Sequence, residues 1–194
     1  MQKIIENLSE LKNKKVAVVG FGRSGVSTAK LISMLGAELI INDKKEEGEI
    51  LKDIDLIGGD IYRITGGGHP PEALEGAELV VVSPGVPLST PSIISAVYKG
   101  IPVIGEIEFS WQIMQLIKKD IKILGITGTN GKSTTSTLAY EFLKKDGRNV
   151  YLAGNIGFPM AEVVQKLLNM EIEMDYLVLE LSSFQLEGIK SFAP

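Results

Sequence analysis

Two stretches of this chain constrain its fold more than anything else in it. In each, a short apolar run breaks into a glycine-rich turn and then into a helical pattern. The first is Val16-Ala17-Val18-Val19 followed by Gly20-Phe21-Gly22-Arg23-Ser24-Gly25. The second is Ile121–Ile126 followed, after Thr127, by Gly128-Thr129-Asn130-Gly131-Lys132-Ser133-Thr134. A strand that passes through glycines into a helix opens a βαβ unit, so two such openings predict two α/β units built on parallel sheets. The expected architecture is a Rossmann-like unit over residues 1–118 and a shorter, incomplete P-loop-type unit over residues 119–194, with the boundary within Lys118–Asp120.

The rest of the chain fits that scheme. Strands are expected at Lys15–Val19, Glu38–Ile41, Leu79–Val82, Pro102–Ile104, Val150–Leu152 and Tyr176–Leu179. Helices are expected at Ser24–Leu35 (ended by Gly36), Thr90–Tyr98 (closed by Gly100), about Glu106–Ile117, and Met160–Leu168. Leu79–Val82 is apolar throughout, as a strand covered on both faces should be. In the helix after the second turn, Leu138, Ala139, Phe142 and Leu143 fall on one face. Between Lys44 and Ala77 no element stands out. The cluster Lys44–Glu49 reads as solvated surface, and His69, the single histidine, reads as part of an exposed loop without a catalytic role.

The second turn carries the more specific chemistry. Small residues let the backbone wrap a phosphate, successive N–H groups and the helix dipole supply positive potential, and Lys132 adds a full charge. A lysine at a helix start opposes the dipole unless an anion is present, which favours a phosphate site over a plain connecting turn. Ser133, with Thr134 beside it, offers a hydroxyl to Mg²⁺. The full Walker pattern would place glycine at position 126; this chain has Ile126 there, between Gly125 and Gly128. Glu180, at the carboxyl end of its strand, lies on the rim where ligands of open α/β sheets bind and is the candidate Mg²⁺ carboxylate. The first turn, G-x-G-x-x-G, is by itself compatible with NAD and hence with a dehydrogenase or dinucleotide-binding module; Asp43 even ends the second strand, where a ribose-binding acid would sit.

Composition narrows the partners. A net charge of −4 argues against a nucleic-acid surface, and the lack of cysteine excludes thiolate metal sites, disulfides and cysteine nucleophiles. No run approaches the roughly 20 apolar residues of a membrane span, and Met1–Lys15 has no signal-peptide core. A cytoplasmic, monomeric chain acting on small molecules is expected.

Four segments together carry a family resemblance. "GITGTNGKSTT" resembles the ATP loop of the Mur ligases, the ATP-dependent amide-forming enzymes of peptidoglycan synthesis. "AGNIGFP" (153–159), "LELSSFQL" (179–186) and "VVVSPGVP" (80–87) resemble other segments of that family in matching order, the last two in its D-glutamate-adding branch. Other Mur ligases and the folylpolyglutamate synthases share the ATP loop but look different at ELSSFQL. The resemblance implies that the first turn holds a uridine diphosphate sugar, UDP-N-acetylmuramoyl-L-alanine, rather than NAD. By position it assigns Gly22, Arg23, Ser24, Asp43, Lys44, Lys45, Ser83 and Gly85 to that ligand, with Asn155, Ser182, Ser183 and Gln185 on its muramyl end. The family commonly has arginine where Lys45 stands, and an ammonium lacks the planar face for stacking on a base. ATP falls to Gly128–Thr134, charge neutralisation to Lys132, and Mg²⁺ to Ser133 and Glu180. The implied reaction activates the alanyl carboxylate as an acyl phosphate, which the amine of D-glutamate attacks. The resemblance also implies a third, D-glutamate-binding domain and further metal-site residues absent from this sequence, so the chain is expected to be inactive alone.

Overall fold

A computed structural model describes residues 4–194. Strands β1 (Lys15–Val19), β2 (Glu38–Asn42), β3 (Ile61–Thr65), β4 (Leu79–Val82) and β5 (Val103–Gly105) form one parallel sheet in the order β3-β2-β1-β4-β5. Helices α1 (Arg23–Met34), α2 (Glu47–Ile54) and α3 (Pro91–Tyr98) belong to this unit. The order of strand addition reverses about β1: β2 and β3 lie to one side, β4 and β5 to the other. The loops after β1 and β4 therefore separate at the carboxyl edge and open a crevice there.

A second parallel sheet, β6-β8-β7, is made of β6 (Lys122–Ile126), β7 (Val150–Gly154) and β8 (Tyr176–Glu180), with helices α5 (Lys132–Lys145), α6 (Met160–Leu168) and α7 (Ser183–Glu187). β8 is central and buried along Leu177–Glu180, whereas β6 forms an edge with Leu124 38% exposed. The apolar face expected on α5 exists but lacks cover: Leu138 is 49% and Phe142 68% exposed. A sheet of three strands gives a fourteen-residue helix too little surface to bury against.

Between the sheets runs α4 (Glu106–Ile117), buried at every position from Glu106 to Met114. A helix buried all round serves as a spine rather than a cover. Its polar side chains are consumed by long-range bonds. Glu108 accepts from the successive amides of Lys190, Ser191 and Phe192 at 3.0, 3.0 and 2.8 Å. Gln112 Oε1 accepts from the amides of Ile4 and Ile5 at 3.1 and 2.9 Å. Glu106 accepts from the amide of Ala161, the second residue of α6, at 2.9 Å. Gly105 and Gly188 touch backbone to backbone, with a 2.8 Å bond from Gly105 N to Gly188 O.

The region without a clear sequence signal, residues 44–77, holds α2 and β3. His69 departs from expectation: it is half-buried, and its Nδ1 lies 2.6 Å from Asn42 Oδ1 at the end of β2. Gly67 and Gly68, both at positive φ, fold the loop back so that the ring meets the strand end. The cluster Lys44–Glu49 is largely exposed as expected, except that Lys45 turns inward.

Candidate functional site

The first glycine turn is shaped by space. A Cβ on Gly25 would lie 1.9 Å from Gly20 O, and one on Gly20 would lie 2.6 Å from Val86 Cγ2. The turn is laced to its neighbours: Ser83 Oγ donates to Gly20 O at 2.7 Å, Asp43 accepts from the Phe21 amide, and Lys45 Nζ donates to Phe21 O at 3.0 Å. Asp43 also takes the Lys45 amide at 2.8 Å, so one of its oxygens is held by the glycine turn and the other by the loop after β2. Asp43 and Ser83 thus set the shape of the crevice as well as lining it. The resulting cleft has a volume of about 340 Å³ and brings together Gly22, Arg23, Ser24, Asp43, Lys44, Lys45, Ser83 and Gly85. All eight positions assigned to the nucleotide sugar in this unit therefore share one cavity.

The second turn is open. Thr127–Gly131 is exposed, and Gly131 caps α5 at φ 77°. Lys132 Nζ folds back onto Gly128 O at 2.7 Å and so rests on the loop. Ser133 and Thr134 are exposed in the first turn of α5.

Register joins this loop to Glu180. Ile126, the last residue before the turn, pairs with Glu180 on β8, and Gly154, the last residue of β7, pairs with Glu180 from the other side. All three strand ends thus deliver their loops to one rim. Glu180 is 0% exposed. Its Oε1 accepts from Asn155 Nδ2 at 2.8 Å, while its Oε2 is buried with no hydrogen-bond partner among the described residues. A carboxylate oxygen left unpaired in the interior costs several kcal/mol unless a cation or donor meets it. That orphan oxygen is of a type that fits a divalent cation, and it sits on the strand paired with β6, whose chain runs on into the loop and helix carrying Ser133.

Three residues expected on the muramyl ligand have nearer partners. Asn155 orients Glu180. Ser182 and Gln185 form a reciprocal capping box for α7: Ser182 Oγ accepts from the Gln185 amide at 3.3 Å, and Gln185 Oε1 accepts from the Ser182 amide at 2.9 Å. The S-x-x-Q spacing of Ser182-Ser183-Phe184-Gln185 is itself the sequence sign of that cap. Ser183 is exposed on the same short helix.

The sequence reading also missed Glu106. Burial pushes its carboxyl up to about 7, against the partial relief of the Ala161 amide and the Ser110 hydroxyl. At Glu108 burial acts in the same direction, but bonds from Ser191, Gln112 and Lys190 outweigh it and hold the carboxyl below its ordinary value. Glutamates in the first turn of a helix read as exposed dipole partners; only tertiary contacts reveal these two as buried.

Residues 14–105 match the model of the MurD-like Mur ligase N-terminal domain, and residues 126–193 match the Mur ligase middle domain. This chain belongs to the Mur ligase family. It is 44% identical over 187 residues to UDP-N-acetylmuramoylalanine–D-glutamate ligase of Alkaliphilus metalliredigens, covering 95% of this chain and 39% of that protein. The ligase of the same name from Streptococcus gordonii is 43% identical over 191 residues, covering 98% and 40%. The chain thus spans about two fifths of the length of the curated relatives it matches. Among solved structures, a UDP-N-acetylmuramate:L-alanyl-gamma-D-glutamyl-meso-diaminopimelate ligase from Neisseria meningitides superposes with a TM-score of 0.52 at 18% identity. It covers 86% of this chain and 52% of that one, a likeness of fold. Within the Mur ligase frame, the first turn lies in the N-terminal match and the Gly128–Thr134 loop in the middle-domain match. No helix among the described residues is long and apolar enough to cross a membrane.

Proposed function

We propose that this chain is the nucleotide-sugar-binding unit (1–118) and part of the ATP-binding unit (119–194) of a ligase that joins D-glutamate to UDP-N-acetylmuramoyl-L-alanine. The printed names of its relatives support the substrate pair. The observation that carries the chemistry is the buried, unpaired Oε2 of Glu180 at the root of a G-K-S-T loop.

In this reading the diphosphate lies in the cleft after β1 and β4. Loop amides and the start of α1 face it, and Lys44, Lys45 and Arg23 supply local positive charge that the chain as a whole lacks. The muramyl end runs toward the Asn155 loop and α7. ATP lies along Gly128–Thr134. Lys132 leaves Gly128 O and neutralises charge on the transferred phosphoryl group; such transfer depends more on electrostatic stabilisation than on an acid–base pair. Glu180 Oε2 and the Ser133 hydroxyl would hold Mg²⁺, which would supply positive charge to offset that of the phosphates. Asn155 holds Glu180 Oε1 and so aims Oε2. The alanyl carboxylate accepts the terminal phosphoryl group, and the D-glutamate amine then displaces phosphate to form the amide. In this reading the chain is a binding unit of a cytoplasmic, monomeric enzyme.

Calorimetric titration of UDP-N-acetylmuramoyl-L-alanine into the chain, with UDP and NAD as comparison ligands, tests this reading. Saturable binding of the sugar nucleotide, weaker binding of UDP and none of NAD is expected. Tight NAD binding without affinity for the sugar nucleotide would overturn it.

A further inference from the structure

Helix α1 leaves the first cleft and packs along α6, and two hydrogen bonds cross that seam. Gln165 Nε2 on α6 donates to Ser27 O at 2.6 Å. One turn earlier, Arg23 Nη2 donates to Gly157 O at 3.0 Å. The position of Arg23 is unusual. It is the first residue of α1, where the helix dipole disfavours a cation, and it also lines the first cleft. Its guanidinium therefore sits between the crevice of one unit and a loop of the other.

The acceptor loop is narrowly defined. Gly157 has φ 73°, and a Cβ there would lie 2.3 Å from Leu152 O. Gly154 N donates to Phe158 O at 2.9 Å and Phe158 N to Leu152 O at 3.2 Å, closing the loop on itself. The same loop carries Asn155, bound to Glu180 through its amide (2.9 Å to Glu180 O) and through its side chain (2.8 Å to Glu180 Oε1). A continuous line of contacts thus runs from the first cleft through Arg23, Gly157 and Asn155 to the carboxylate at the second turn.

We infer that Arg23 is a positioning residue: by holding Gly157 O it fixes the Asn155 loop, and through it the Glu180 carboxylate, according to whether the first cleft holds an anion. The proposal rests on the reading of that cleft as a diphosphate site. A guanidinium has five donors in a rigid fork, so one N–H on Gly157 leaves others for phosphate oxygens. An anion that immobilises the fork removes part of the ordering cost of the Gly157 bond. Anion binding and loop order then reinforce each other, and the coupling is reciprocal. Loading of the sugar nucleotide would thereby order the metal carboxylate before the chemistry begins.

Amide hydrogen exchange on this chain tests the link. Without ligand, Arg23→Ala is expected to speed exchange across residues 154–158 by about five- to tenfold, the loss of one charge-assisted bond at a local opening. Arg23→Lys should restore part of the protection, since it keeps a donor and a charge. Without ligand, Lys45→Ala, which removes a cleft ammonium that bonds Phe21 O, should leave exchange across the 154–158 loop unchanged. Saturating UDP-N-acetylmuramoyl-L-alanine should slow loop exchange in the unmodified chain and fail to do so in saturated Arg23→Ala. Unchanged loop exchange in ligand-free Arg23→Ala, or acceleration spread equally over β1 and β8, overturns the inference. Failure of the sugar nucleotide to bind at all defeats the cleft reading and the coupling with it, while the ligand-free comparison still decides whether Arg23 holds the loop.

Discussion

The two glycine turns occupy equivalent places in their sheets and are built in opposite ways. The first is crowded by its own chain: Gly25 faces Gly20 O, Gly20 faces Val86 and Ser83, and Asp43, Ser83 and Lys45 tie the backbone between them. At the second, a Cβ on Gly131 would meet nothing within 4 Å, and one on Gly128 only Asn130 O at 3.7 Å. Space demands Gly20 and Gly25 of the first turn, while Gly22 has room around it; backbone angle alone demands Gly131. A turn packed this way has its shape before any ligand arrives, and its amides are partly spent on holding it. An open turn keeps its amides for the ligand and takes its final shape from it. The same motif can therefore serve as a rigid seat or as an adaptable grip, and the surrounding side chains decide which.

The sharpest test of this contrast is Gly25→Ala. A methyl 1.9 Å from a buried carbonyl forces the β1–α1 junction apart, and a loss of about 3–5 kcal/mol or failure to fold is expected in chemical denaturation. A loss near 1 kcal/mol would mean that the first turn is as yielding as the second.

The seam between the two turns should give the next largest effect. The Glu106 carboxyl, raised from 4.5 to about 7, contributes stability that is complete below 4.5 and lost as pH rises through 7. Glu106→Gln keeps an acceptor for the Ala161 amide without the buried charge. Melting curves of the two proteins should agree near pH 4 and diverge upward, the variant gaining about 3 kcal/mol above pH 8. A constant offset across pH would refute the assignment.

Gly131→Ala should cost only about 1–2 kcal/mol, the strain of a left-handed φ with no clash. Its stability loss set against that of Gly25→Ala is the direct measure of the difference between the turns. Smallest of all is the pair Ser83→Ala and Lys132→Ala. The first breaks a buried bond to Gly20 O and should cost about 1 kcal/mol; the second removes an exposed bond to Gly128 O and should change stability by less than about 0.5 kcal/mol. Equal costs in equilibrium unfolding would erase the distinction drawn between the turns.

The strands and helices nearest the two turns were legible because their signals are local. Continuous apolar runs mark β1, β4 and β8, and Gly36 and Gly100 mark helix ends. β3 was not legible: it is an edge strand, partly exposed throughout, with its register to β2 shifted between Leu39 and Ile40, so no two-residue alternation survives. α2 is eight residues long with Ile50 its one buried position, too short for a period to show. At the candidate site, the residue types were readable and their partners were not. Glu180 and the G-K-S-T loop follow from their places at strand ends. That Asn155 turns to Glu180, that Ser182 and Gln185 cap each other, and that Asp43 closes the first turn depend on which hydrogen bonds win in three dimensions.

Glu108 and Gln112 sit one turn apart on α4, one gripping the amides of residues 190–192 and the other those of residues 4 and 5. Both anchor points thus lie on a single rod. If the lobes swing against each other during a working cycle, that arrangement makes α4 an axle: the lobes can roll about its length, bringing their two clefts nearer or farther apart, while prising them directly away from it would break five amide contacts at once.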